Sequence, residues 1–135
     1  MARKMPSVDA WLDEAKRDPA FRRCGMYLVH NGTVRETPKA EVRLAEHGGV
    51  DAGERVARLE FGYDADRVRA ATDAARAMPG IEYVRVWLNE GELEVGDDIM
   101  LVLIGGDIRP HVVDALQELV GTIKAECVRE VERAS

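Results

Sequence analysis

Asp98-Ile-Met-Leu-Val-Leu-Ile-Gly-Gly-Asp-Ile-Arg-Pro-His111 contains the longest apolar run of the chain, Ile99 to Ile104, followed at once by glycines, an aspartate and a proline. Six apolar residues are far too few to span a bilayer but suit a strand buried on both faces. Asp107 is a plausible N-cap, and Pro110 falls in a first helical turn, where its missing N–H costs little. Beyond it Val112, Leu116, Leu119, Val120, Ile123 and Cys127 recur mostly at spacings of three and four. At 100° per residue they form one stripe roughly 100° wide. A buried strand feeding an amphipathic helix requires a sheet for that helix to cover.

Working outward, Asn89-Glu90-Gly91 reads as a turn, and Ile81 to Leu88 as an imperfectly alternating strand. Before it, Asp64 or Asp66 starts a helix with Val68, Ala71, Ala75 and Met78 along one face, stopped by Pro79-Gly80. Val56 to Phe61 has strand character. From Glu36 to Glu54 the pattern degrades around Pro38, His47-Gly-Gly49 and Gly53, which predicts a long loop with room for one strand near Val42 to Leu44. Cys24 to His30 reads as a strand with a turn at Asn31-Gly32. Ser7 caps a first helix that ends at Asp18-Pro19. The order predicts a single α+β domain over 1–135, a two-layer fold with an antiparallel sheet and three main helices.

Composition narrows the function. Nineteen Lys and Arg against twenty-five Asp and Glu leave a net charge of −6, which argues against nucleic acid as the main partner. At 5% aromatic content a base-stacking platform is not expected, while 46% apolar residues suit a packed core. Cys24 and Cys127 are too few for a disulfide framework or zinc site, and the N-terminus lacks an apolar signal region. A cytoplasmic protein without membrane contact is the expectation.

The chain carries no P-loop, GxGxxG, HExxH or GxSxG motif, and His30, His47 and His111 lack metal-ligand spacing, so neither cofactor nor metal is expected. Asp97-Asp98 and the Glu92/Glu94 pair suit a solvated strand edge better than a cation site. Three cations stand out. Arg35 ends a strand segment, Arg109 begins the last helix, and Lys124 lies near that helix's end. Lys124 projects about 120° from Val112, at the border of the apolar stripe. It can lay its stem along the core and snorkel, the reading that periodicity favours. It can instead be a partly desolvated amine suited to acid–base or covalent work. Arg109 and Lys124 are separated by about 22 Å of helix, so one small ligand reaches both only across a dimer interface or with a mobile loop.

Gly25-Met-Tyr-Leu-Val-His-Asn-Gly-Thr-Val-Arg35 resembles the G-A-x-x-x-F-x-G-x-V-R segment of the molybdopterin synthase catalytic (large) subunit family. Gly91-Glu-Leu-Glu-Val-Gly-Asp97 is similar to that family's G-E-L-x-x-G-D turn. Gly106-Asp-Ile-Arg109 and the helix reaching Ile123-Lys124 match its S-x-H-R and L-K stretch without a gap. The resemblance runs from about residue 7 to 131, apart from the 36–54 loop. It implies an α/β hammerhead-type fold, a homodimer and a small ubiquitin-like sulfur carrier as partner. The carrier's thiocarboxylate would deliver sulfur to an anionic pterin, cyclic pyranopterin monophosphate. Lys124 then matches an essential lysine, and Arg35 and Arg109 match the family's anion-binding arginines.

Departures accompany the match. The family's phenylalanine is His30, its H-R histidine is Ile108 and the serine Gly106, and a second His-Arg pair appears as Leu88-Asn89. The family's P-[IFV]-W-K segment is Val128-Arg129-Glu130-Val131, so its second lysine falls on Val131. Arg129 could carry that charge only if the backbone shifts, and it cannot act as an amine base. Two functions therefore stand side by side: an active large subunit with Lys124 as relay, or a non-catalytic dimeric homologue that binds a carrier tail or a small anion. A third places sulfur chemistry on Cys127, whose position in the apolar stripe favours a buried hydrophobe.

Overall fold

Residues 2–39 and 53–134 are described by the structure, a computed structural model. The expected strand near Val42 to Leu44 lies outside the described residues. Helix α1 (Val8–Arg17) starts at Ser7, whose Oγ accepts a hydrogen bond from the Ala10 N–H at 3.2 Å, and ends at Asp18. A 3-10 turn (Pro19–Arg23) leads into β1 (Met26–Thr33). Then come β2 (Arg58–Tyr63), α2 (Ala65–Arg76), β3 (Ile81–Leu88), β4 (Gly91–Glu94) and β5 (Asp98–Gly106). Helix α3 (Arg109–Thr122) passes into a π-helical turn (Ile123–Cys127) and β6 (Val128–Arg133).

The strands form two three-stranded antiparallel sheets, ordered β1-β5-β3 and β4-β2-β6. Strand β5 is central to the first, and every residue from Met100 to Gly106 is buried, as its unbroken apolar run requires. Its alternating side chains feed two cores. Leu101 and Leu103 meet Trp11 and Ala15 of α1, whereas Met100, Val102 and Ile104 meet α2 and α3 through Ala71, Ala75, Val112, Ala115 and Leu119. Each such fully buried aliphatic side chain contributes about 1.5–3 kcal/mol of transfer free energy. Arg85 of β3 ties α1 down, donating to Glu14 at 2.6 Å with its guanidinium 4.5 Å from the Trp11 ring.

Four expectations are corrected. Asn31-Gly32 is no turn: β1 continues through it because Asn31 and Gly32 pair with Leu101 and Met100 of the longer β5. Residues 91–94, read with the turn, form β4 against β2. The apolar stripe predicts one helix to Cys127, but α-helical geometry stops at Thr122 and the chain then enters β6. Asp107 is not the N-cap of α3; extended Ile108 is, and the Asp107 carboxylate takes the Ile108 N–H at 2.6 Å instead. Among the described residues, the α+β class, the antiparallel pairing and three main helices stand as expected.

Candidate functional site

Of the three cations singled out in the sequence, Arg109 and Lys124 lie at the two ends of α3 and Arg35 lies beyond β1. Arg109 is its first residue and is solvent-exposed. The end it occupies is packed around glycines. Gly25 donates its N–H to the Gly106 carbonyl at 2.7 Å, and Asp107 donates its N–H to the Gly80 carbonyl at 2.9 Å. Gly80 has φ +78°, and a methyl group there would collide with Asp107 Oδ1 and His111 Nδ1. That carboxylate and ring stand 2.8 Å apart. The hydrogen bond from His111 holds the Asp107 carboxyl below the ordinary carboxylate range. Ile108, at the position of the family's histidine, is 52% exposed and offers no proton chemistry.

Lys124 occupies the opposite end, about 22 Å along the axis from Arg109. It lies within the π-helical turn, where an extra residue per turn moves side chains off the α-helical stripe. The geometry reckoned at 100° per residue therefore no longer applies to it. Lys124 is half-buried while its neighbours Ile123 and Cys127 are buried. The turn is clamped to the start of α2. Asp64 donates its N–H to the Cys127 carbonyl at 2.8 Å, and Arg67 donates to the Glu126 carbonyl at 3.0 Å.

Across from Lys124 runs β1, whose residues Met26, Leu28 and His30 alternate onto the face that α3 covers. His30 is half-buried there, and its imidazole is held below the usual histidine range first by burial and then by the Lys124 charge. The sequence marked His30 only as a departure from the family. Its alternation with Met26 and Leu28 is the signal that could have placed it under the helix.

Arg35 lies two residues beyond β1 and is exposed. Hydrogen bonds from Val34 N–H to Asp97 O at 2.9 Å and from Gly96 N–H to Val34 O at 2.8 Å hold the residue before it. Arg35 borders a small cavity of about 30 Å³ together with Lys39, Glu130 and Glu132. Lys39 Nζ pairs with Glu130 Oε2 at 2.8 Å, the side chains only 17% and 9% exposed. The Lys39 N–H also donates to buried Glu132 at 3.1 Å. This clasp between β6 and residue 39 left no signal in the sequence, because it joins residues more than ninety positions apart.

Val131, where the family's second lysine falls, pairs with Glu60 on β6 and is half-buried. Arg129 shares its strand face, about 6.6 Å away. Arg129 lines an open cleft of about 470 Å³ together with Tyr63, Arg67 and Cys127 among others. Cys127 itself is 4% exposed, and burial pushes its thiol above the ordinary range, which suits a core side chain and not a sulfur-handling thiolate. Cys24 is shifted the same way by burial. Among the described residues no cluster of His, Cys, Asp or Glu could hold a metal ion, and no helix is long and apolar enough to cross a membrane.

Among the described residues, two antiparallel sheets and three α-helices define the class: a small α+β protein with a cation at each end of its last helix. A family model described as MoaE protein matches residues 2–126, so the chain belongs to that family. Among solved structures it is similar to a molybdopterin synthase from Staphylococcus aureus, with TM-score 0.71 and 17% identity over 96% of this chain and 86% of that one. It is also similar to molybdopterin cofactor biosynthesis protein E from Burkholderia multivorans, with TM-score 0.67 and 20% identity over 98% and 88%. A third likeness is to the complex of subunits 1 and 2 of molybdopterin-converting factor from Helicobacter pylori, with TM-score 0.62 and 12% identity over 94% and 78%. At these identities the likenesses establish the fold. No match is found among curated proteins.

Proposed function

We propose that the chain is a molybdopterin synthase large subunit that acts in molybdenum cofactor biosynthesis. It takes sulfur from the C-terminal thiocarboxylate of a small ubiquitin-like carrier and passes it to cyclic pyranopterin monophosphate. The observation that carries this reading is the family match across residues 2–126. The Helicobacter pylori structure, a complex of two subunits of the converting factor, supports a small partner subunit. Lys124 is the relay: its half-buried position beside His30 suits an amine that meets an anionic or acyl group away from bulk water. Arg35 and Arg109 neutralise the anionic substrate. Because Arg109 and Lys124 lie at opposite ends of α3, the reading assigns them to one site across a homodimer, each subunit supplying one end.

The test is reconstitution with a thiocarboxylated carrier and the pyranopterin precursor, followed by an assay for molybdopterin. Product formation that depends on Lys124 is the expected result. A second reading is favoured by Val131, which removes an amine from β6. On that reading the protein binds the carrier tail or a small anion without turnover. Carrier binding without product, under conditions in which another large subunit is active, selects it. Absence of both overturns the two together.

A further inference from the structure

The outer face of the β4-β2-β6 sheet carries a ladder of charges that breaks at one row. Arg58, Glu60 and Gly62 of β2 alternate onto that face, beside Arg129, Val131 and Arg133 of β6 and Glu92 and Glu94 of β4. Arg58 pairs with Glu92 at 3.9 Å, and Arg133 with Glu60 at 3.2 Å. Arg129 is the third arginine of this face. It is exposed, and among the described residues no carboxylate pairs with it. The diagonal step that brings Arg133 to Glu60 leads from Arg129 to Asp64. Asp64 has left the strand to cap α2, where Oδ1 takes the Asp66 and Arg67 N–H groups at 3.0 and 3.1 Å.

The row stays open because its middle position is glycine. Gly62 pairs with Arg129, and one further step of the β2–β4 register places Glu90 on its other side. Glu90 and Arg129 thus stand about 10 Å apart, two strand spacings, with no side chain between them. The Arg129 guanidinium lies over this floor: a Cβ on Gly62 would come 3.3 Å from its Nη2. Gly62 and Arg129 line the cleft of about 470 Å³, whose walls include Tyr63, Arg67 and Glu126. Arg67 is fixed there by the Glu126 carbonyl at 3.0 Å, with Asp64 Oδ2 3.9 Å from its Nε. Tyr63 Oη accepts from Arg3 at 3.3 Å. Arg3 is anchored in turn by buried Asn89, which takes its N–H at 2.8 Å and donates to its carbonyl at 3.1 Å. With Arg3 donating to its oxygen, the Tyr63 hydroxyl keeps its own proton to give.

We propose that this cleft is an oxyanion site, in which Arg129 and the Tyr63 hydroxyl hold a singly charged carboxylate or phosphodiester on the Gly62 floor. The guanidinium presents a planar fork that matches two oxygens of either group, and the glycine lets them approach the backbone. Arg67 adds a second positive charge from the wall. Against these cations stand three carboxylates, Asp64, Glu90 and Glu126, of which Asp64 is committed to the α2 cap. The balance gives one negative charge a partner and sets a second one facing Glu90 or Glu126, so a monoanion is selected over a polyanion. Lys124, Arg35 and Arg109 do not line the cleft, and the site stands independently of the sulfur-transfer reading.

The test titrates the intact protein with N-acetylglycine, dimethyl phosphate and sodium pyrophosphate at constant pH and ionic strength. It follows the Nε–H resonance of Arg129 by nuclear magnetic resonance, with Arg129→Gln assigning the signal. Saturable movement of that signal by one or both monoanions is expected, with pyrophosphate binding more weakly. Which monoanion binds more tightly separates a carboxylate from a phosphodiester as the natural group. Arg129→Gln should weaken binding, read from the backbone amides of the cleft, by about tenfold or more, as expected on losing a charge-assisted pair. Tyr63→Phe should weaken it about threefold, the worth of one neutral hydrogen bond. Arg58→Gln, which removes an arginine of the same face that already has its carboxylate, should change it by less than about twofold. A wild-type signal indifferent to all three anions overturns the proposal, and that measurement needs no variant to fold. Tightest binding of pyrophosphate, or equal losses in Arg58→Gln and Arg129→Gln, overturns it as well, since either reduces the cleft to diffuse surface charge.

Discussion

The two ends of α3 are built on different principles. At its start the backbone is packed against backbone, and Gly25, Gly80 and Gly106 allow approaches that no side chain would permit. Arg109 projects from this rigid base into solvent. At its finish the helix widens into a π turn held by one backbone and one side-chain hydrogen bond, and polar groups nearby are half-buried: Lys124, whose charge reaches His30, and Lys39, paired with Glu130. A rigid exposed cation suits the capture of a charged group, whereas a partly desolvated amine suits chemistry on it.

That contrast can be broken by substitution. The largest effect is expected from Lys124→Ala, which should reduce molybdopterin formation by about 100-fold or more while the circular dichroism spectrum stays unchanged. Arg109→Ala should also be inactive. Mixing the two variants under subunit exchange should restore about a quarter of wild-type activity, because half the heterodimer's sites are intact. No recovery would place both residues in one subunit's site and break the cross-dimer assignment.

Next in size, Lys39→Ala strands the Glu130 carboxylate and should cost about 3 kcal/mol in urea denaturation, since the pair is largely shielded from water. Gly106→Ala, at the opposite end, forces a methyl within 2.7 Å of the Gly80 carbonyl and should cost about 2 kcal/mol with little change in Lys124 chemistry. The smallest effect is expected from Asp107→Asn. The folded-state pKa of Asp107 is depressed, so its contribution is present above the unfolded carboxylate range and is lost as pH falls through the folded value. Melting curves of Asp107→Asn and wild type should differ slightly at pH 6 and converge near pH 2.

Much of the fold was legible because its dominant signals are local. The apolar run of β5, the Ser7 and Asp64 caps and the stripe on α3 each reflect a short-range periodicity or hydrogen bond. Strand β6 was not legible: Val-Arg-Glu-Val-Glu-Arg is a charged edge strand, and the helical stripe reaches Cys127 just before it. Asn31-Gly32 shows the opposite failure, a strong turn signal overridden by pairing with β5. At the candidate site, Lys124, Arg35 and Arg109 came from motif spacing and the separation of Arg109 from Lys124 from helix rise, but the π turn that carries Lys124 did not.

By itself, the sequence determined the α+β class, the buried central strand, the three helices and the family, because these depend on the order of residues and on periods of a few positions. Only the tertiary structure decided that the Lys124 charge reaches the half-buried His30 and that Lys39 is held by two glutamates of β6. These are juxtapositions set by sheet register and helix rise. Such distances add up over many residues and across separate strands, and no short stretch of sequence records the sum.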